Sequence, residues 1–238
     1  MSTPDKVAAF FDLDGTVVAP PSLEWRFITF LIARDELATR DVTRWLTSFL
    51  RRAAFDPGGA TRENKQYLAG LRTSLAADWE SSLAERRPPL YASALAQMNW
   101  HYAQGHRVFL MSGTLDFLAQ ALARQVLGSA EVSATELEVR DGRWTGRLAG
   151  PHIRGAEKAR AVRNLTARYG LSLWDSYAYG NSTSDLPMLD SVGHRFAVNP
   201  GAGLRRIAWN EGWPRCHWRQ VAGRIAVSGA QLSAGQVR

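Results

Sequence analysis

The sequence predicts an α/β fold in which a parallel sheet carries helices on both faces. Three observations predict it. Short apolar runs at Val7–Phe11, Arg107–Met111, Ser176–Tyr179 and Arg195–Val198 read as strands buried on both faces. Longer stretches with helical periodicity separate them, as a parallel sheet with crossover helices requires. A polar cluster follows each of the first three runs directly, and sites in such sheets form beyond the carboxyl ends of the strands.

Val7–Phe11 (VAAFF) stops abruptly at Asp12-Leu-Asp-Gly-Thr16, so the strand delivers two carboxylates at its end. Pro20-Pro21 then breaks the chain. From Leu23 to about Thr73 the pattern is helical: Leu23–Ala33, Leu37–Arg52, and a stretch after Thr61, with Phe55-Asp-Pro-Gly-Gly59 as a loop. Arg86-Arg-Pro-Pro89 breaks the chain again, and a helix over Leu90–Gln104 ends at Gly105. After Arg107–Met111 comes Ser112-Gly-Thr114. The next helix carries Leu115, Leu118, Leu122 and Val126 at spacings of three and four. Glu136–Leu148 alternates around Asp141-Gly142, the signature of a hairpin. Gly155 precedes a helix with Lys158 near its start. Ser176–Tyr179 runs into Gly180-Asn-Ser-Thr-Ser-Asp185, and the last strand stops at Asn199-Pro-Gly201. From about Val227 the Ser/Gly/Gln/Ala-rich text reads as a flexible tail.

The chain has 238 residues, 45% apolar and 21% charged, which excludes disorder as its overall state. No apolar run approaches the roughly 20 residues of a membrane helix, and Asp5, Asp12 and Asp14 interrupt any signal-peptide core. The lone Cys216 excludes an internal disulfide, so a reducing cytoplasm is the expected compartment. A net charge of +7 favours anionic partners without choosing among phosphorylated metabolites, nucleic acid and acidic lipid. No interleaved basic and aromatic RNA-binding motif stands out, so no nucleic-acid partner is expected. The five histidines show no paired ligand spacing and read as structural or exposed.

Asp12 and Asp14, two residues apart after a buried strand, repel each other and are costly to desolvate. A bound Mg²⁺ resolves that repulsion, because it accepts a few carboxylate and carbonyl oxygens together with substrate phosphate. Ser112 and Gly113 offer a hydroxyl and a free N–H for a phosphate oxygen, or equally an N-cap. Asn181 and Asp185 stand at i and i+4, and Asp185 reads equally as an Asx turn or helix cap.

Taken in order, Asp12-Leu-Asp-Gly-Thr16, Met111-Ser-Gly113, Gly155-Ala-Glu-Lys158 and Gly180-Asn-Ser-Thr-Ser-Asp185-Leu-Pro-Met188 give the chain a family resemblance. It resembles the haloacid dehalogenase superfamily of phosphohydrolases, within it the phosphoserine-phosphatase-like subfamily IB, over about residues 7–200. The resemblance implies a Rossmann-like core of residues 1–19 and 89–226, with a helical cap over 20–88. It implies that Asp12 is the nucleophile, forming an aspartyl-phosphate, and that Asp14 protonates the leaving alkoxide and then activates water. Ser112, Gly113 and Lys158 would hold phosphoryl oxygens. Asp12, the Asp14 carbonyl, Asn181 and Asp185 would bind Mg²⁺.

Two positions depart from the family pattern. Its last motif commonly begins Gly-Asp, where this chain has Gly180-Asn181. Phosphoserine phosphatases place an acid soon after the first motif to grip the substrate ammonium, and here the first acid is Glu24, inside a predicted helix. The expected substrate is therefore a small phosphorylated metabolite: an amino-alcohol or amino-acid phosphate, histidinol phosphate included, or a lipid head-group phosphate. Glu24, Trp25, Arg62 and Lys65 are the candidate substrate contacts in the cap, with Phe27 and Asn64 beside them. The alternatives are a phosphotransferase or mutase of the same fold, and a non-catalytic basic module for RNA or anionic lipid.

Overall fold

The computed structural model describes residues 3–38, 43, 65–128 and 130–219. Six strands form one parallel sheet: β1 (Ala8–Asp12), β2 (Arg107–Leu115), β3 (Glu131–Thr135), β6 (Tyr177–Gly180), β7 (His194–Val198) and β8 (Arg215–Cys216). The order is β3-β2-β1-β6-β7-β8. The chain therefore builds outward from β1 to one side and then returns to build on the other. That reversal puts the switch point of the sheet between β1 and β6.

Alternation along β1 explains why both of its faces are covered. Ala9 and Phe11 point into one apolar cluster, with residues of α1 (Leu23–Ala33), α2 (Leu75–Ser82), α3 (Ala92–Ala103) and α4 (Asp116–Leu122). Ala8 and Phe10 point into the other, with residues of α5 (Ala156–Tyr169), α6 (Leu186–Leu189) and α7 (Ala202–Asn210). Phe10 stacks on Phe109, and Phe11 on Tyr179, so aromatic pairs lock β1 to a neighbouring strand on each face. Full burial of each phenylalanine contributes about 2–3 kcal/mol to holding β1 at the centre.

Several elements depart from the sequence expectation. The structure extends β2 through Ser112-Gly-Thr114 to Leu115, and α4 starts only at Asp116 with no side-chain cap. The N-cap reading of Ser112 is thereby overturned: its Oγ accepts from the Thr114 N–H at 3.1 Å, within extended backbone. Val126 falls in a π-helical turn after α4 yet packs against the same apolar cluster as Leu118 and Leu122, while Leu115 belongs to β2. Of the helical text expected between Leu37 and Thr73, residues 39–42 and 44–64 lie outside the described residues. From Lys65 onward there is only a 3₁₀ turn, and then chain running beside the hairpin of β4 (Leu137–Arg140) and β5 (Arg143–Leu148). The Gly70 and Thr73 N–H groups donate to Trp144 and Gly142 carbonyls, which draws this segment out of helical form; α2 begins afterwards. The hairpin turn is at Asp141-Gly142, both with positive φ, as a tight two-residue turn requires. The expected tail from Val227 lies outside the described residues.

Candidate active site

β1 ends in Asp12, and the chain reverses at once. Gly15 makes the reversal with φ +88°, and a Cβ there would lie 1.9 Å from the Asn181 amide nitrogen. Only glycine lets the first and last motifs approach this closely.

Asp12 is buried and fully engaged. Its Oδ1 accepts from Lys158 Nζ at 2.5 Å, and its Oδ2 accepts from the Thr16 hydroxyl at 2.9 Å. Lys158 Nζ also donates to Asp185 Oδ1 at 2.6 Å. Lys158 is only 2% exposed and Asp185 only 1%, so two carboxylates share one ammonium out of water. Burial, then the neighbouring Asp185 charge, raises the Asp12 carboxyl to about 7, although Lys158 pulls the other way. Burial alone would lower the Lys158 ammonium, but the carboxylates of Asp12 and Asp185 more than offset that and raise it.

The two oxygens of Asp185 have separate tasks. Oδ1 meets Lys158, while Oδ2 accepts from the N–H groups of Asn181 and Ser182 and from the Ser182 hydroxyl, at 3.0–3.1 Å. The cap and the charged site, alternatives in the sequence, occupy opposite edges of one carboxylate. Gly180 permits the packing, since a Cβ there would come within 2.6 Å of the Asp185 Cβ.

Asp14 faces elsewhere. Its Oδ1 accepts from the Leu23 N–H at 2.8 Å, and the Thr114 hydroxyl donates to its Oδ2. Burial raises its carboxyl, which the hydrogen bonds from Thr114 and Leu23 only partly counter.

Asp12, Asp14, Thr114 and Lys158 line a cavity of about 410 Å³ together with Ser112, Gly113 and Asn181, while Asp185 is buried behind them and does not line it. Of the expected cap contacts, Glu24, Trp25 and Lys65 line the same cavity, while Arg62 and Asn64 lie outside the described residues. Phe27 is wholly buried in the apolar cluster, against Phe30, Trp79 and Phe117, and does not line the cavity. Glu24 and Lys65 meet each other: Lys65 Nζ donates to both Glu24 oxygens at 2.5 Å, and the Tyr67 hydroxyl adds a bond at 2.7 Å.

Sequence reasoning missed Thr114, His152, Arg154 and the serines at 22, 182 and 184, all of which line the cavity. His152 donates from Nε2 to the Gly113 carbonyl at 3.2 Å, and burial followed by the Lys65 charge lowers its imidazole. A histidine in the loop after a hairpin carries no distinguishing signal. Thr114, next to Ser112-Gly113, was legible in position but not in its partner.

The family model described as haloacid dehalogenase-like hydrolase matches residues 9–190. The chain is 37% identical over 237 residues to the phosphoserine phosphatase SerB1 of Mycobacterium tuberculosis, covering 94% of this chain and 75% of that protein. It is 33% identical over 219 residues to a probable phosphatase of the same organism, covering 88% and 74%. Among solved structures, a protein of unknown function from Bordetella pertussis superposes with a TM-score of 0.76 at 30% identity, covering 89% of this chain and 99% of that one. Four motifs meeting at the switch point of the sheet, within a family match of this length, leave no other assignment: the chain belongs to the haloacid dehalogenase-like hydrolases and is a phosphatase of that family.

Proposed function

We propose that this phosphatase hydrolyses a small phosphorylated metabolite through an aspartyl-phosphate formed on Asp12. The observation that carries the reading is the Lys158 ammonium held between Asp12 and Asp185 at the floor of the cavity. Such an ammonium keeps the Asp12 carboxylate in place and stands ready for phosphoryl oxygens.

In this reading an Asp12 oxygen attacks phosphorus and the ester P–O bond breaks. Asp14 gives its proton to the departing alkoxide oxygen. Asp14 then takes a proton from the water that attacks the aspartyl-phosphate, so Asp12 is regenerated as inorganic phosphate leaves. Ser112, the Gly113 N–H and Lys158 hold the phosphoryl oxygens throughout.

Asp12, Asp14 and Asp185 outnumber the single Lys158 among the motif residues, and the donors are hard oxygens, which fits Mg²⁺. Among the described residues no group of three or more His, Cys, Asp or Glu side chains is placed to hold a metal by itself. The Asp14 carboxylate is occupied by Leu23 and Thr114, so its contribution would come through its main-chain carbonyl, with Asn181 completing the set beside Asp12 and Asp185. When bound there, the ion supplies positive charge that offsets the repulsion between the Asp12 carboxylate and the phosphoryl oxygens.

We further take residues 20–88 as a cap over a core of 1–19 and 89–226. Ser22, Glu24, Trp25, Ile28 and Lys65, which line the cavity with the motif residues, support that division. No described helix is long and apolar enough to cross a membrane, and the single cysteine suits the cytoplasm as the place of action. A phosphate-release screen across phosphorylated metabolites with Mg²⁺, repeated with added acceptor alcohols, tests the reading. Phosphate release without transfer supports hydrolysis; phosphorylated alcohol as the main product favours a phosphotransferase.

A further inference from the structure

Beyond the motif residues, the charged lining of the cavity consists of Glu24, Lys65 and Arg154. Glu24 is engaged: both of its oxygens accept from Lys65 Nζ and one also from Tyr67, in a pair whose side chains are only 19% and 11% exposed. It offers no free carboxylate to a substrate ammonium. Arg154 has no acidic partner among the described residues, and His152 beside it is held toward its neutral form by burial. The distal lining thus keeps one uncompensated positive charge.

The Arg154 side chain is exposed, and its backbone is held where the guanidinium can reach the cavity. The N–H groups on either side of Arg154 are fixed, Ile153 to the Thr135 hydroxyl at 3.1 Å and Gly155 to the Ser184 carbonyl at 3.1 Å. Its own N–H donates to the His152 carbonyl at 2.7 Å. Lys158 stands four residues further on, one turn into α5. A guanidinium presents a planar fork that matches the paired oxygens of a carboxylate or phosphate.

We propose that Arg154 binds a second anionic group of the substrate, a carboxylate or a second phosphoryl group, while the scissile phosphoryl group sits on Ser112 and Lys158. This rests on the phosphomonoesterase reading above and narrows it, because it disfavours cationic amino-alcohol phosphates. Arg154 is on this view a specificity residue.

The test compares kcat/KM on 3-phosphoglycerate, glycerol 3-phosphate, phosphoethanolamine and propane-1,3-diol bisphosphate, with 4-nitrophenyl phosphate as reference, for wild type, Arg154→Gln and Arg154→Lys. One charge-assisted contact corresponds to a preference of about tenfold to a hundredfold. Wild type is expected to favour at least one dianionic-plus substrate, the glycerate ester or the bisphosphate, over glycerol 3-phosphate by that factor. Whichever of the two leads identifies the carboxylate or the phosphoryl source. Arg154→Gln erases the preference mainly through KM, and Arg154→Lys restores part of it. Equal losses on all five esters would assign Arg154 to the scissile phosphoryl group and overturn the proposal; so would a wild-type preference for phosphoethanolamine. Calorimetric binding of the same alkyl esters to Asp12→Asn reads the preference without turnover. Binding selectivity with no phosphate release from any ester in wild type removes the hydrolase reading and leaves the anion site standing.

Discussion

The Leu23 N–H, first in helix α1, donates to Asp14 Oδ1 at 2.8 Å. The acid of the first motif therefore satisfies an orphan donor of the helix that begins the proposed cap. Thr114, from the end of β2, donates to the other oxygen. The Asp14 carboxyl is thus positioned by one group on each side of the cavity.

Asp14→Asn is expected to lose most activity on alkyl phosphates and least on 4-nitrophenyl phosphate. An alkoxide needs a proton as it leaves, whereas a nitrophenolate scarcely does. Thr114→Val should show the same dependence in weaker form, since it frees one Asp14 oxygen without removing the carboxyl. Rates across a series of leaving-group pKa values check both; parallel losses on alkyl and aryl esters would remove Asp14 from the acid role.

Asp12→Asn should lower turnover by at least a thousandfold while leaving the thermal transition and substrate binding near wild type. The amide fills the same volume and can still accept from Thr16, but it cannot attack phosphorus. Residual turnover of more than a few per cent would place the nucleophile elsewhere.

Lys158→Ala leaves Asp12 and Asp185 buried without the ammonium that holds both. Breaking a buried ion pair by removing one partner costs about 3–5 kcal/mol. Denaturant unfolding of the variant should show a loss on that scale unless the carboxyls take up a proton, in which case stability recovers as pH is lowered. An unchanged midpoint at neutral pH would show that Lys158 contributes nothing net to folding.

Much of this was legible because it is written locally. VAAFF followed by Asp12 is a buried strand whose last carboxylate has nowhere to go but the carboxyl end of the sheet. Asp141-Gly142 names its own turn. The apolar runs fell within one residue of β1, β6 and β7. What stayed hidden is set by long-range pairing. β3 (EVSAT) is half-exposed and carries no strong pattern; it is a strand because β2 offers it an edge. Ser112-Gly-Thr114 resembles a helix start and is instead strand, with Leu115 beyond it paired to Thr135 of β3 and the Thr114 hydroxyl bonded to Asp14. The Glu24–Lys65 pair joins positions 41 residues apart, so Glu24 read as a candidate substrate contact when its carboxylate is already neutralised by Lys65.

A pH effect on stability follows from His101. It is fully buried, with Nδ1 at 2.9 Å from His106 Nδ1 and Nε2 at 3.0 Å from the Tyr179 hydroxyl. Trp100 and Tyr177 pack edge-on against the ring. Burial, then the His106 charge, pushes its imidazole down to about 3. The unfolded chain takes up a proton below its ordinary value of about 6.5, whereas the folded chain does not until about 3. Stability is therefore lost as pH falls from about 6.5, at up to about 1.4 kcal/mol per pH unit. Denaturant unfolding between pH 7.5 and 4.5 should show His101→Gln losing less per unit than wild type, by about one proton. Identical slopes would mean that His101 is protonated in the folded state.

The remaining prediction concerns Asn181, which packs against Gly15 beside Asp12 and so sits between the first and last motifs. If the proposed Mg²⁺ site is correct, the neutral amide gives it one formal negative charge fewer than the common Gly-Asp pattern. Mg²⁺ is hard and holds its water tightly, so each carboxylate in its shell counts. Each tenfold in affinity corresponds to about 1.4 kcal/mol, a plausible scale for one partly exposed charge. Asn181→Asp should lower the Mg²⁺ concentration for half-maximal activity by about tenfold without raising the maximal rate, because the added charge also repels the phosphate dianion. Asp185→Ala should raise that concentration sharply or abolish activity, since it removes a carboxylate together with the cap that orders residues 181–185. Mg²⁺ titrations of activity for wild type and both variants, with calorimetry of the ion alone, decide the matter. Coincident curves for wild type and Asn181→Asp would take Asn181 out of the metal shell and leave Asp12, Asp185 and the Asp14 carbonyl to hold the ion.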